Sequence, residues 1–118
     1  MNKNNNQSLQ SQKGWFELAI LMMLEKKPMY GYELTKCLQD SHVFIISDGS
    51  IYPILKRLTS NDYIDVFTKE FDGRMRKYYQ LTPLGKAEIQ EKWSDLEMIY
   101  HYFKNLKDRN VNDGQNDD

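Results

Sequence analysis

Along residues 14–27 apolar side chains follow one another almost without a break: Trp15, Phe16, Leu18, Ala19, Ile20, Leu21, Met22, Met23 and Leu24. This pattern predicts a helix that needs cover on more than one side, which a short chain supplies most readily through a second copy. Lys26-Lys27-Pro28 stops it, because proline removes a donor and disfavours helix in the residue before it. Over 30–40, Tyr30, Leu34 and Leu38 stand four apart and predict a second helix with one inward stripe. Gly31, early in that helix, reads as a point of close approach. The run Val43-Phe44-Ile45-Ile46 suits a short strand. Ser47-Asp48-Gly49-Ser50 opens a third helix, with Ser47 or Asp48 as N-cap. In that helix, ending near Ser60, Ile51, Ile54, Leu55 and Leu58 gather within about 100° of arc at 100° per residue. Ser50, Pro53, Lys56 and Arg57 fall opposite, with Tyr52 at the flank. Pro53 is tolerated only near the first turn, so the helix starts close to Gly49.

Period-two alternation then takes over. Tyr63-Ile64-Asp65-Val66-Phe67-Thr68 and Lys77-Tyr78-Tyr79-Gln80-Leu81 predict two strands, joined over 69–76 by a turn built on Asp72-Gly73. Thr82-Pro83 starts a last helix, Thr as N-cap and Pro at the first helical position. Ile89, Leu96 and Phe103 recur every seven residues, as do Ile99 and Leu106, while Trp93 and Tyr100 widen the stripe and Lys92 interrupts it. Running to about residue 107, the helix outreaches a domain of this size, and its excess calls for a partner, most simply its own copy. The fold class is mainly α with a small β-hairpin. Three helices, a hairpin and a long helix form a winged helix-turn-helix domain with a C-terminal dimerisation helix. Residues 14–82 make the former and 83–107 the latter, between polar tails at 1–13 and 108–118 expected to be disordered.

The chain has 118 residues, a prior for one domain, and a formal net charge of −1 that hides an asymmetry. Between Ser50 and Lys86 seven cations face four acids, whereas the last eleven residues carry four Asp against Arg109. A basic third helix and hairpin suit phosphate contacts, which supply affinity and make it salt-dependent. The single Cys37 cannot form an internal disulfide, and His42 and His101 have no ligands at metal spacing, so neither metal nor cofactor is expected. No secretory signal or apolar run of membrane-spanning length is present, and a cytoplasmic protein without membrane association is expected. Nor is there a phosphate-cradling glycine loop or a His-containing nucleophile set, which argues against an enzyme.

Three stretches resemble PadR-like transcriptional regulators. Tyr30-Gly31-Tyr32-Glu33-Leu34 resembles the opening of that family's second helix. Asp48-Gly49-Ser50-Ile51-Tyr52-Pro53-Ile54-Leu55-Lys56-Arg57-Leu58 resembles its recognition helix. Arg76-Lys77-Tyr78-Tyr79-Gln80-Leu81-Thr82-Pro83-Leu84-Gly85 is similar to its junction of wing and last helix. Together they cover about residues 14–93, and the short length resembles the smaller branch with a single C-terminal helix. The resemblance implies a homodimeric repressor of its own or a neighbouring operon, bound to a double-stranded DNA operator. It places Ser50, Tyr52 and Lys56 in the groove and Arg74, Arg76 and Lys77 on phosphates or the minor groove. Arg57 joins them on motif and local charge. Two departures stand out. Asn61-Asp62 replaces the usual glycine after the recognition helix, which Asn or Asp tolerates, and Trp93 lies about one turn earlier than the tryptophan of the family's multidrug-binding branch.

The expected dimer interface comprises Trp15, Leu18, Met22, Ile89, Trp93, Leu96, Ile99, Tyr100, Phe103 and Leu106. A small aromatic inducer would sit near Trp15 and Trp93, with Lys92 for an anionic group. The alternative from another class is a winged-helix protein-interaction module without sequence-specific DNA binding.

Overall fold

The computed structural model describes the backbone of residues 3–116 and the side chains of residues 14–110. Its elements are α1 (Lys3–Leu24), β1 (Met29–Tyr30), α2 (Gly31–Asp40), α3 (Ile51–Ser60), β2 (Ile64–Phe71), β3 (Arg74–Leu81) and α4 (Pro83–Asn116). Four helices and a three-stranded antiparallel sheet of order β1-β3-β2 form a winged-helix fold with a long C-terminal helix.

The core follows the apolar periodicity. Ile51, Ile54, Leu55 and Leu58 of α3 all face inward, against Ile20, Leu21 and Leu24 of α1 and Leu34 and Leu38 of α2. Ile64, Tyr79 and Ile89 close it from the sheet and α4. Glu25 N–H makes the last α-helical bond, to the Leu21 carbonyl at 3.0 Å, and Lys26 N–H tightens onto the Met23 carbonyl at 3.3 Å, so α1 ends at Leu24, three residues before the expected stop.

Several local expectations give way to tertiary contacts. The sheet has a third strand: Met29 and Tyr30 pair with Tyr79 and Tyr78. Two residues are too short to show an alternating pattern, and Tyr30 therefore precedes α2 instead of belonging to it. Val43–Ile46 is not a strand. Gln39 Nε2 donates to the Ile46 carbonyl at 3.1 Å, where a ladder partner would be needed, and Phe44 packs on Phe16 with ring centroids 5.0 Å apart. Neither Ser47 nor Asp48 caps α3. The N-cap is Ser50; Asp48 accepts from Gln39, Ser47 and Ser50 share a hydroxyl hydrogen bond, and Gly49 turns the chain at φ +86. The hairpin is longer than expected, with Phe71 opposite Arg74 across a two-residue turn. Asp72 (φ 55) and Gly73 (φ 76) give that turn the positive φ values that match strand twist.

Thr82 and Pro83 open α4 as expected. Thr82 Oγ1 accepts from Gly85 N–H at 3.0 Å and donates to the Asp62 carbonyl at 2.7 Å. Asp62 takes the left-handed turn after α3 at φ 64. Gly85 seats against the Tyr63 carbonyl so closely that a Cβ would collide with it. α1 and α4 have helical backbone from Lys3 and to Asn116, beyond the expected 14 and 107. No proline interrupts these polar stretches, so each helix can propagate from its packed part. The tails expected to be disordered, 1–13 and 108–118, are thus helical in backbone where it is described, while the side chains of 1–13 and 111–118 lie outside the described residues. No helix among the described residues is long and apolar enough to cross a membrane.

Candidate nucleic-acid interface

The exposed side of α3 carries Tyr52, Pro53, Lys56 and Ser60, preceded by exposed Ser50. Tyr52, Lys56 and Ser60 recur every four residues and form a single stripe on the helix. Arg57 leaves that side. Its Nε donates to Glu17 Oε1 at 3.2 Å, tying α3 to α1, while its buried Nη2 lies 3.2 Å from the same oxygen without hydrogen-bonding geometry. No signal near Arg57 announces this, because its partner is 40 residues away in sequence.

Beside the α3 stripe the chain forms a concave crease of about 310 Å³, lined by Tyr30, Gly31, Tyr32, Tyr52, Arg76, Lys77 and Tyr79. It exists because Gly31 has no side chain: a Cβ there would stand 2.7 Å from Tyr52 Cε1 and 2.8 Å from its hydroxyl. Tyr30 N–H, at the head of α2, donates to Glu33 Oε1 at 3.1 Å. The Tyr79 hydroxyl is pushed above its ordinary value by burial and secondarily by Tyr52, so it stays a neutral donor. Tyrosine hydroxyls and the Lys77 ammonium around one hollow suit a phosphodiester. Tyr30, Tyr32 and Tyr79 were missed by sequence reasoning; the aromatic residues flanking Gly31 were its available signal.

Strand register distributes the wing cations. Arg74, opposite Phe71, and Arg76, opposite Lys69, share one face of the hairpin, whereas Lys77, opposite Thr68, faces the other way. Arg74 and Lys77 are exposed. Arg76 is half-buried, its guanidinium carbon 4.5 Å from the Tyr30 ring centroid and 4.4 Å from that of Phe71.

The model of the transcriptional regulator PadR-like family matches residues 20–91, from the core of α1 through the first turns of α4. The chain belongs to the PadR-like family. A PadR-like regulator of Bacillus cereus shares 34% identity at a TM-score of 0.74, over 82% of this chain and 95% of that one. A PadR family regulator of Clostridium difficile shares 31% at 0.72, over 78% and 97%. A curated transcriptional regulator of Mycobacterium tuberculosis is 33% identical over 75% of this chain and 81% of its own length. This PadR-like protein is accordingly a DNA-binding transcriptional regulator and not an enzyme.

The remaining expected residues of the PadR-like chain divide. Leu18 and Ile89, expected between subunits, are each 6% exposed within the chain's own core, and Met22 and Leu96 pack against that core. Trp15, Trp93, Ile99, Tyr100, Phe103 and Leu106 stand at the surface. A cleft of about 250 Å³ between α1 and α4 is lined by Gly14, Trp15, Leu18, Lys92, Asp95, Leu96 and Ile99. It brings Trp15 and Lys92 together and leaves Trp93 outside; Lys92 Nζ lies 3.5 Å from Glu88 Oε2. Among the described residues no cluster of His, Cys, Asp or Glu is placed to hold a metal ion.

Proposed function

We propose that this regulator is a cytoplasmic homodimeric repressor of a pseudo-palindromic operator, residues 14–82 binding DNA and residues 83–107 joining the subunits. The observation that carries the reading is the exposed Tyr52–Lys56 stripe lying beside a tyrosine-lined, cationic crease. Each α3 enters a major groove, where Ser50, Tyr52 and Lys56 meet base edges or the sugar-phosphate wall. The crease takes an adjacent phosphate through Lys77, and Arg74 at the wing tip takes another. Arg57, held by Glu17, braces the helix from behind.

Dimerisation follows from the distribution of apolar surface. α4 is 34 residues long, about 51 Å at 1.5 Å per residue, and the side chains it packs on the chain's core among the described residues, Ile89 and Leu96, lie in its first half. Beyond Leu96, Ile99, Tyr100, Tyr102 and Phe103 are all exposed, a density of large apolar groups suited to a subunit interface. Two recognition helices related by a two-fold axis then read half-sites roughly 10 bp apart, or a multiple of that. The cleft beside Trp15 and Lys92 adjoins this surface at Leu96 and Ile99. A flat aromatic molecule there relieves repression by changing the separation of the two α3 helices.

Selection of duplexes from a random pool by the purified protein, followed by native mass spectrometry of the complex, tests the reading. An enriched inverted repeat carrying two chains per duplex supports it. Enrichment of no sequence, or one chain per selected duplex, contradicts it.

A further inference from the structure

The outward face of the sheet carries a continuous ladder of rings. At the tip, Phe71 lies over Arg76; Arg76 lies over Tyr30; Tyr30 meets the edge of Tyr78 at 5.5 Å; and Tyr78 stacks on Phe67 at 5.6 Å. Strand register places all five on one face, since Phe67 opposes Tyr78 and Tyr30 opposes Tyr78 from the other side. Arg76 ties the free tip of the wing to the base of the sheet, because Phe71 belongs to the tip and Tyr30 stands where β1, paired to β3 at Tyr78, leads into α2. It also sits directly opposite Lys69, a pairing of like charges that destabilises a hairpin unless something offsets it. Two π faces against the guanidinium supply that offset.

We propose that Arg76 is a positioning residue, a cation–π latch that fixes the wing against the helix-turn-helix, and not one more phosphate contact. The proposal rests on the DNA-binding reading above only for its consequence; the latch itself is a property of the free protein. With Arg76 clamped, the tip cations Lys69 and Arg74 keep a set distance from the α3 stripe, so wing and helix engage one duplex together. Without it the hairpin tip beyond the β1–β3 pairing swings, and binding must first restore the latched posture. The loss of affinity then cannot exceed the factor by which the latched population falls.

Amide exchange in the free protein reads the latch directly. Removing both ring contacts by Arg76→Ala is expected to speed exchange at residues 69–75 roughly tenfold, and Phe71→Leu or Tyr30→Leu, each removing one, about threefold. Arg76→Lys should retain part of the protection, since an ammonium still meets a ring. Phe71 is an exposed tip residue, so its variant keeps the test valid if Tyr30→Leu folds poorly. Wild-type exchange in both Arg76→Ala and Phe71→Leu overturns the latch.

On a duplex that the wild type binds, Arg76→Ala should lose up to about tenfold in affinity with its log–log salt slope unchanged, whereas Lys77→Ala should lower that slope by about 1. Phe71→Leu, which alters no charge, should also weaken binding. A slope decrease in Arg76→Ala equal to that of Lys77→Ala, with Phe71→Leu binding as wild type, assigns Arg76 to a phosphate and overturns the proposal. If the wild type binds no duplex, the operator reading falls and the exchange result alone decides the latch.

Discussion

Replacing Gly31 by alanine separates the shape of the interface from the stability of the fold. The new Cβ would stand 2.7 Å from Tyr52 Cε1 and 3.0 Å from its Cζ. Ordinary carbon–carbon contact is about 3.5 Å, so the ring edge must retreat by about 0.8 Å. The obstructing atoms end a half-exposed side chain and are not backbone, so the ring swings outward by rotation about its χ angles. An off-rotamer placement costs on the order of 1 kcal/mol. Alanine's better helix propensity offsets part of this, though less at the first residue of α2 than inside a helix. Net stability, read by urea unfolding, should therefore stay within about 1 kcal/mol of wild type. Binding should not. Tyr52 leaves the crease and the groove, and one misplaced contact of this kind is worth roughly tenfold in affinity. Tyr52→Ala removes the same contact, so the double variant should bind no worse than the weaker single one by fluorescence anisotropy. Gly31→Ala binding operator as wild type, or its loss adding in full to that of Tyr52→Ala, would show that Gly31 does not act through the placement of Tyr52.

At Gly85 the same substitution should act on stability instead, because the obstructing atom is the Tyr63 carbonyl, which also accepts Thr82 N–H at 3.1 Å. Overpacking against backbone, less the propensity gain, leaves a destabilisation of about 2 kcal/mol by urea unfolding; an unchanged midpoint would contradict the packing argument. Arg57→Met should cost about 1 kcal/mol of stability through the lost Glu17 bond and leave the salt slope of DNA binding unaltered, whereas Lys56→Met should lower that slope by about 1. Titration of both variants at several salt concentrations checks this. Phe103→Asp, placing an unpaired carboxylate in the α4 surface, should weaken self-association on the order of a hundredfold or more in sedimentation equilibrium; an unchanged dimer would move the interface elsewhere.

What local pattern encodes, the sequence shows plainly. Ile51, Ile54, Leu55 and Leu58 gather on one side of α3 and are buried together, Asp72-Gly73 forms the expected turn, and Thr82 caps α4. Features set by distant partners leave no such trace. β1 is two residues that become a strand only because β3 lies beside them. The solvated-looking arginines have unlike surroundings: Arg57 turns to Glu17, and Arg76 is enclosed by Tyr30 and Phe71. The apolar run in α1 and the heptads of α4 suggested intersubunit packing, yet Leu18 and Ile89 are consumed inside the chain. Periodicity marks which face is apolar but not which neighbour covers it. The Gly31 approach was legible as an approach, while its partner Tyr52 emerged only from the fold.

Sequence-specific, cation-mediated recognition of an operator upstream of its own gene is the proposed role of the interface. Its most direct test is titration of the protein with duplex from upstream of its own gene and with a scrambled duplex, each at two salt concentrations. Tight binding to the native duplex, much weaker binding to the scrambled one, and a steep loss of affinity between the two salts are expected. Equal affinity for both duplexes at either salt would contradict an operator upstream of its own gene.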